Sequence, residues 1–320
     1  MTGRSLSLVS RYIRDASHTT RYQSVTIKGL AQLRALNLIL RRLSPAFRHV
    51  RHLLVSACAS RNSYENKTSG LGNPLHRNEP EVLLNAEQIR RMLQGGEIRL
   101  RLEEAQKASF KFNETLYGVL SLLSGTLETL SFTICNRFRP PPFPALKELT
   151  ICGLMDDSAI PASLPSLRRL HLVGPYYNQH EILTFLRGTP LLTHLRLSGL
   201  EKTLNILHLV ESILGEPDGT PHPFLREPLP LEQVLIQCRR PLHGYGSADG
   251  DYASKVRVMH MLVDIHPDKN ILLLPTQAWH EDIDLMVSEE MVLWRDRMDG
   301  GEGCWDTRWL MSREDNRRLL

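Results

Sequence analysis

The run Trp279-His280-Glu281-Asp282-Ile283-Asp284 gathers an imidazole and three carboxylates, the raw material of a helical zinc site. The second histidine such a motif needs is replaced by Asp284, so these acids are read as favouring the N-terminus of a following helix through its dipole. The segment GYGSADG, residues 244–250, sets Ser247 among glycines without the Gly-x-Ser-x-Gly spacing of a nucleophile elbow, and reads as a loop. The segment GGEGC, residues 300–304, lacks the Lys-Ser/Thr of a phosphate loop and follows a helical pattern, which makes it a helix stop. His171 and His194 occupy equivalent places in neighbouring repeats, but two ligands without a third do not make a metal site. No catalytic residue, metal site or cofactor is therefore expected.

The elements that position those histidines repeat. A pattern of Leu, two residues, Leu, one residue, aliphatic or Phe occurs at Leu127/Leu130/Phe132, Leu146/Leu149/Ile151, Leu167/Leu170/Leu172, Leu192/Leu195/Leu197 and, with Val in the middle, Leu231/Val234/Ile236. An earlier copy is Val50/Leu53/Val55. The first four starts are 19, 21 and 25 residues apart, close to the period of a leucine-rich repeat. One such unit cannot bury its apolar face alone, and stacked neighbours supply the missing core. Pro144, Pro165 and Pro190 stand two residues before three copies, where they are expected to force an extended approach to the strand. Gly153, Gly174 and Gly199 close three copies, and positive φ there is the expected turning device. The Asn or Cys of a regular repeat is mostly missing one residue later, where Cys135, Leu154, Pro175, Leu200 and Arg239 stand.

Helical returns are predicted between the strands: one presenting Ile182, Phe185 and Leu186 before Gly188, another presenting Leu204, Leu207, Val210 and Leu214 before Gly215. A further helix near 256–265 and a strand in NILLLP, 270–275, continue the alternation, whereas Ile98, Leu100 and Leu102 alternate as a strand would. The fold class is thus α/β: an irregular leucine-rich-repeat solenoid, short parallel strands alternating with helices, with helical caps. Its divisions are a helical segment over 1–23, the solenoid over 24–275 with a long loop near 60–81, and a C-terminal capping helix and tail over 276–320. The cap is read from Ile283, Val287, Met291, Trp294 and Met298 at helical spacing, followed by Gly300 and Gly301.

Charge is uneven. Residues 1–60 hold ten Lys or Arg against one acid, Asp15, while residues 276–320 hold eleven Asp or Glu against six Arg. Five cysteines, odd in number and without a CxxC pair, read as reduced thiols. No apolar run is long enough to span a membrane and no secretory h-region opens the chain, so a cytoplasmic or nuclear protein is expected. The Arg- and Ser-rich first 14 residues also fit a mitochondrial transit peptide.

At both ends the sequence resembles the F-box and leucine-rich-repeat proteins abundant in fungi. Leu6, Leu8, Val9, Ser10 and Arg11 match the Leu-x-Leu-Val-Ser-Arg helix that ends the family's F-box, and YQSVTI follows as a short strand with Val25 and Ile27. Trp294, Arg295, Arg297, Gly300, Gly301, Gly303, Cys304 and Trp305 look like the family's terminal segment. The resemblance implies a substrate-receptor subunit of a cullin-based ubiquitin ligase, with Leu6, Leu8, Val9, Arg11 and Tyr12 in the part of the F-box that meets a Skp-type adaptor. The Leu-Pro-x-Glu helix that opens the family's F-box has no counterpart upstream of Leu6. The chain is therefore expected to begin inside the F-box, as a truncated gene model or a diverged member, and to lack stable adaptor binding.

The functional expectation is a non-enzymatic interaction module that binds a target protein through the strand face. Residues flanking the inward leucines point the other way, giving Glu148, Thr150, Arg169, His171, His194 and Arg196 as the partner-binding set. Its positive character suits an acidic or phosphorylated segment. The alternative is a nucleic-acid-binding protein using the basic first 60 residues, which lack an aromatic stacking pattern.

Overall fold

The computed structural model describes residues 23–57, 97–134, 140–153, 164–174, 179–200, 204–214, 229–238, 257, 260–261, 263, 270–274 and 283–306. Eight parallel strands form one open sheet in strict chain order: β1 (Ser24–Lys28), β2 (His52–Ser56), β3 (Thr129–Ile134), β4 (Glu148–Gly153), β5 (Arg169–Val173), β6 (His194–Leu200), β7 (Gln233–Cys238) and β8 (Ile271–Leu273). Returns on the helical side include α1 (Gly29–Arg42), α2 (Glu97–Leu123), α3 (Gln179–Arg187) and α4 (Leu204–Leu214). Between β7 and β8, Arg257, His260, Met261 and Val263 are also helical.

The repeat pattern sets the register. Val25, Leu53, Leu130, Leu149, Leu170, Leu195, Val234 and Ile271 pair in one row across all eight strands. Ile27, Val55, Phe132, Ile151, Leu172, Leu197, Ile236 and Leu273 form the next. Both rows face the helices, where Leu33, Leu36 and Leu40 of α1, Phe112, Leu116 and Leu120 of α2, Ile182 and Leu186 of α3 and Val210 and Ile213 of α4 complete a single core. The first leucine of each pattern, from Leu127 to Leu192, is fully buried beneath the start of its strand.

At each strand's mouth one carbonyl accepts two amides from the following repeat. The Gln23 oxygen takes Arg51 and His52, Arg51 takes Glu128 and Thr129, Glu128 takes Lys147 and Glu148, Lys147 takes Arg168 and Arg169, Arg168 takes Thr193 and His194, and Thr193 takes Glu232 and Gln233. The side chains there alternate in charge, and Glu128 binds Arg51 Nε at 2.7 Å and Lys147 Nζ at 2.9 Å. These partners, Lys147 foremost, hold the Glu128 carboxyl below its ordinary range.

The prolines do not extend the chain as expected. Pro144, Pro165 and Pro190 each occupy the second position of a tight turn closed by Leu146 N–H to Phe143 O, Leu167 N–H to Leu164 O and Leu192 N–H to Thr189 O. Proline's fixed φ suits that position, and its missing N–H is not needed there. Among the closing glycines, Gly174 (φ 145°) and Gly199 (φ 74°) take positive φ; Gly153 remains paired with Ile134. Gly199 lies at a register shift, because Ser198 pairs with Gln237 and Leu200 with Cys238.

Ile98, Leu100 and Leu102 are helical, not a strand: the run Glu103-Glu104-Ala105-Gln106-Lys107-Ala108 consists of strong helix formers and carries α2 through them. In α4 the described buried residues are Leu209, Val210 and Ile213, with Leu214 half-buried, so the apolar face is rotated from the predicted stripe. The residues near 60–81 and 1–22 lie outside the described ones.

Candidate functional site: the covered strand face

Alternation places a second set of rows on the side of the sheet away from the helices. His52, Thr129, Glu148, Arg169, His194 and Gln233 pair in one, and Leu54, Ser131, Thr150, His171, Arg196 and Leu235 in the next. Glu148, Thr150, Arg169, His171, His194 and Arg196 thus share one face on three consecutive strands, Arg169 opposite His194 and His171 opposite Arg196.

That face is covered by the chain's own C-terminus. Helix α5 (Ile283–Met298) lies across the strands instead of sealing an end of the sheet. The Glu290 carboxylate comes within 3.9 Å of His171 Nδ1 on β5, Arg297 Nε donates to Glu148 Oε2 on β4 at 3.1 Å, and Ser24 Oγ on β1 donates to Met298 Sδ at 3.4 Å. The sequence pattern finds the helix but not its seat, because these contacts are polar and the apolar stripe is only partly used: Trp294 is buried, Met291 and Met298 half-buried.

Beyond Met298 the chain reverses. Gly300 (φ 95°) and Gly303 (φ 59°) adopt the left-handed region, and Asp296 accepts the Gly303 N–H at 2.9 Å. A short 3-10 turn, Gly303–Trp305, then returns to the sheet. The Trp305 indole N–H donates to Glu148 Oε1 at 3.1 Å, so each oxygen of this 7 %-exposed carboxylate has a donor. The His171 and His194 rings meet the indole edge-on at 6.4 and 5.9 Å between centroids, and the Arg169 guanidinium sits 6.0 Å from its centre. Arg169 also reaches Glu302 at 3.4 Å. Arg196 donates through Nη1 to the Cys304 carbonyl, through Nε to Ser198 Oγ at 3.1 Å and through Nη2 to Gln237 Oε1 at 3.2 Å. A small crevice remains beside the helix, where Ser131 and Thr150 face Glu290, Leu293 and Trp294.

Burial, with Arg196 beside it, pushes the His171 pKa well below the ordinary imidazole value. Its Nε2 lies 3.0 Å from Ser198 Oγ, whose hydroxyl already accepts from Arg196 and so has its proton to give. The Nδ1 is then the protonated nitrogen, buried without a hydrogen-bond partner and directed at Glu290. His194 is lowered as well, by burial and by Arg169. The buried Cys304 thiol is pushed far up by desolvation and does not ionise near neutral pH.

Chemically the arrangement grips; it does not activate. Its groups hold an indole, a backbone carbonyl and a carboxylate. Among the described residues no group of three or more His, Cys, Asp or Glu could hold a metal ion, and no helix is long and apolar enough to cross a membrane. Ser247 and His280 lie outside the described residues, as do Leu6, Leu8, Val9, Arg11 and Tyr12. Sequence reasoning missed Glu290, Arg297, Glu302 and Trp305; the signal for them is the opposition between an acidic C-terminus and a positive strand face. No protein-family model, curated protein or solved structure matches the chain.

Proposed function

We propose that this chain is a non-enzymatic protein-interaction module, an irregular leucine-rich-repeat solenoid related to F-box substrate receptors, that holds a target protein on its strand face. One observation carries the reading: the face already holds a peptide-like segment by its backbone carbonyl, its carboxylate and its aromatic side chain at once. Repeated carbonyl sharing at each strand mouth and two aliphatic rows in register support repeat units as the building block. The nucleic-acid alternative draws less support, because Arg48 donates to the Leu40 and Leu43 carbonyls, Arg51 is bound to Glu128 and Arg41 to Asn37.

Photo-crosslinking side chains placed at Thr129 and Gln233, on the strand face, and at Leu38, exposed on α1, test the site in full-length protein. The expected result is a shared crosslinked partner from the two strand positions and none from Leu38. Crosslinks confined to Leu38 would move the site to the helical side. Co-purification with a Skp-type adaptor tests the ligase relationship separately.

A further inference from the structure

A parallel sheet covered permanently on both sides carries near-continuous apolar strands. Here the helical side obeys that rule and the other does not: under the C-terminal segment lie Thr129, Ser131, Glu148, Thr150, His171 and Arg196. The segment's own apolar anchorage is a small cluster, Leu235, Leu274, Cys304 and Trp305 with Leu272 and Leu293 against it, separate from the main core. A face built from hydroxyls, imidazoles, a carboxylate and a guanidinium is suited to meet water as well as protein, so its cover is of the kind that can leave.

We propose that the segment Glu302–Trp305 is an internal ligand, and that the strand face takes from its partner a segment of the same chemistry: a carboxylate three residues before a tryptophan. The inference rests on the strand-face reading above and specifies its ligand. Glu148 requires an N–H donor from the aromatic residue, which tryptophan supplies and phenylalanine does not; leaving that buried carboxylate with one donor fewer carries a penalty. Arg169 covers the indole and binds the upstream acid, so it measures the spacing between them. Arg196 holds the carbonyl immediately before the tryptophan and reads only backbone, which leaves the two residues between acid and tryptophan free to vary. In the resting chain the tethered copy competes at an effective concentration on the order of millimolar.

The test uses full-length protein and a labelled peptide with the sequence of residues 299–306. Wild type should bind it weakly, and Trp305→Ala, which empties the indole site, should bind it about tenfold more tightly or better. Replacing Trp by Phe or Glu by Gln in the peptide, or adding Glu148→Leu to the protein, should each reverse about tenfold of that gain. Should Trp305→Ala not fold, Gly303→Ala serves the same purpose with the face intact: its φ of 59° disfavours a side chain, and its Cβ would come within 2.9 Å of the Leu293 carbonyl oxygen. Equal binding by wild type and variant, or none by a folded variant, overturns the proposal. A concentration-dependent dimer of Gly303→Ala would give the site to a second copy and overturn the partner assignment. Crosslinking from Thr129 and Gln233 with no peptide binding removes only this ligand; loss of both removes the strand-face reading itself.

Discussion

The two sides of this sheet are both covered, but by different physics. On the helical side, leucine, isoleucine, valine and phenylalanine stack in two unbroken rows against amphipathic helices, and burial of apolar area drives the association. On the other side the contacts are directional: two donors on Glu148, one carbonyl on Arg196, one indole among two imidazoles and a guanidinium. The first kind of interface stabilises the fold and tolerates substitution by shape. The second contributes little net stability per contact, yet depends sharply on which group stands where.

Truncating the apolar side should do the most damage. Leu170→Ala is expected to destabilise by roughly 2–5 kcal/mol in denaturant unfolding, because Leu170 is fully buried between Leu149 and Leu195. A change below about 0.5 kcal/mol would dissolve the register on which the comparison stands. Glu148→Leu, on the polar side, should cost about 1–3 kcal/mol by orphaning Arg297 and Trp305. A cycle with Trp305→Phe should show coupling between the two positions, and strict additivity would separate them.

Acid sharpens the comparison further, with a smaller effect. His171 and His194 are held below the ordinary value of about 6.5 when the segment is seated, so the unseated state binds more protons. Their contribution to seating is complete above about pH 6.5 and is lost as pH falls below it. Arg196 and Glu290 face His171, while Arg169, Glu232, Glu302 and Glu148 surround His194, and for both the cations and burial outweigh the acids. Fluorine NMR of 5-fluorotryptophan-labelled protein should show the Trp305 signal moving toward its free position between about pH 7.5 and about pH 5.5. A signal constant over that range would detach the histidines from the segment. Least of all, Arg168→Ala should change stability by less than about 0.5 kcal/mol, since its side chain is exposed and only its carbonyl serves the ladder.

The apolar half was legible because its signal is local and repeated: a Leu-x-x-Leu-x-aliphatic pattern forces alternate residues inward and fixes strand register in one step. The proline turns and α2 were misjudged where a local cue has two outcomes. Pro before a strand permits a turn as readily as an extended approach, and Ile98, Leu100 and Leu102 fit a period of two until the helix formers after them decide. The six strand-face residues were legible as a set, since geometry alone makes them neighbours. Their cover was not: Trp305 and Glu148 are 157 positions apart, and a polar contact at that distance in sequence leaves no period to detect. The acidic segment the positive face called for turned out to be present on the chain itself.

The shared carbonyls at the strand mouths have a consequence for how this chain tolerates change. Starts of successive repeats differ by 19 to 39 residues, yet every strand from β2 to β7 is fastened to its predecessor through the same two amides and one oxygen. Spacing is set at that seam, independently of what the intervening chain does. Insertions and deletions in the connecting segments alter the thickness of the molecule on its helical side while the pitch of the ruled surface opposite stays constant. A lineage can therefore lengthen or shorten the returns without disturbing the surface on which specificity is written.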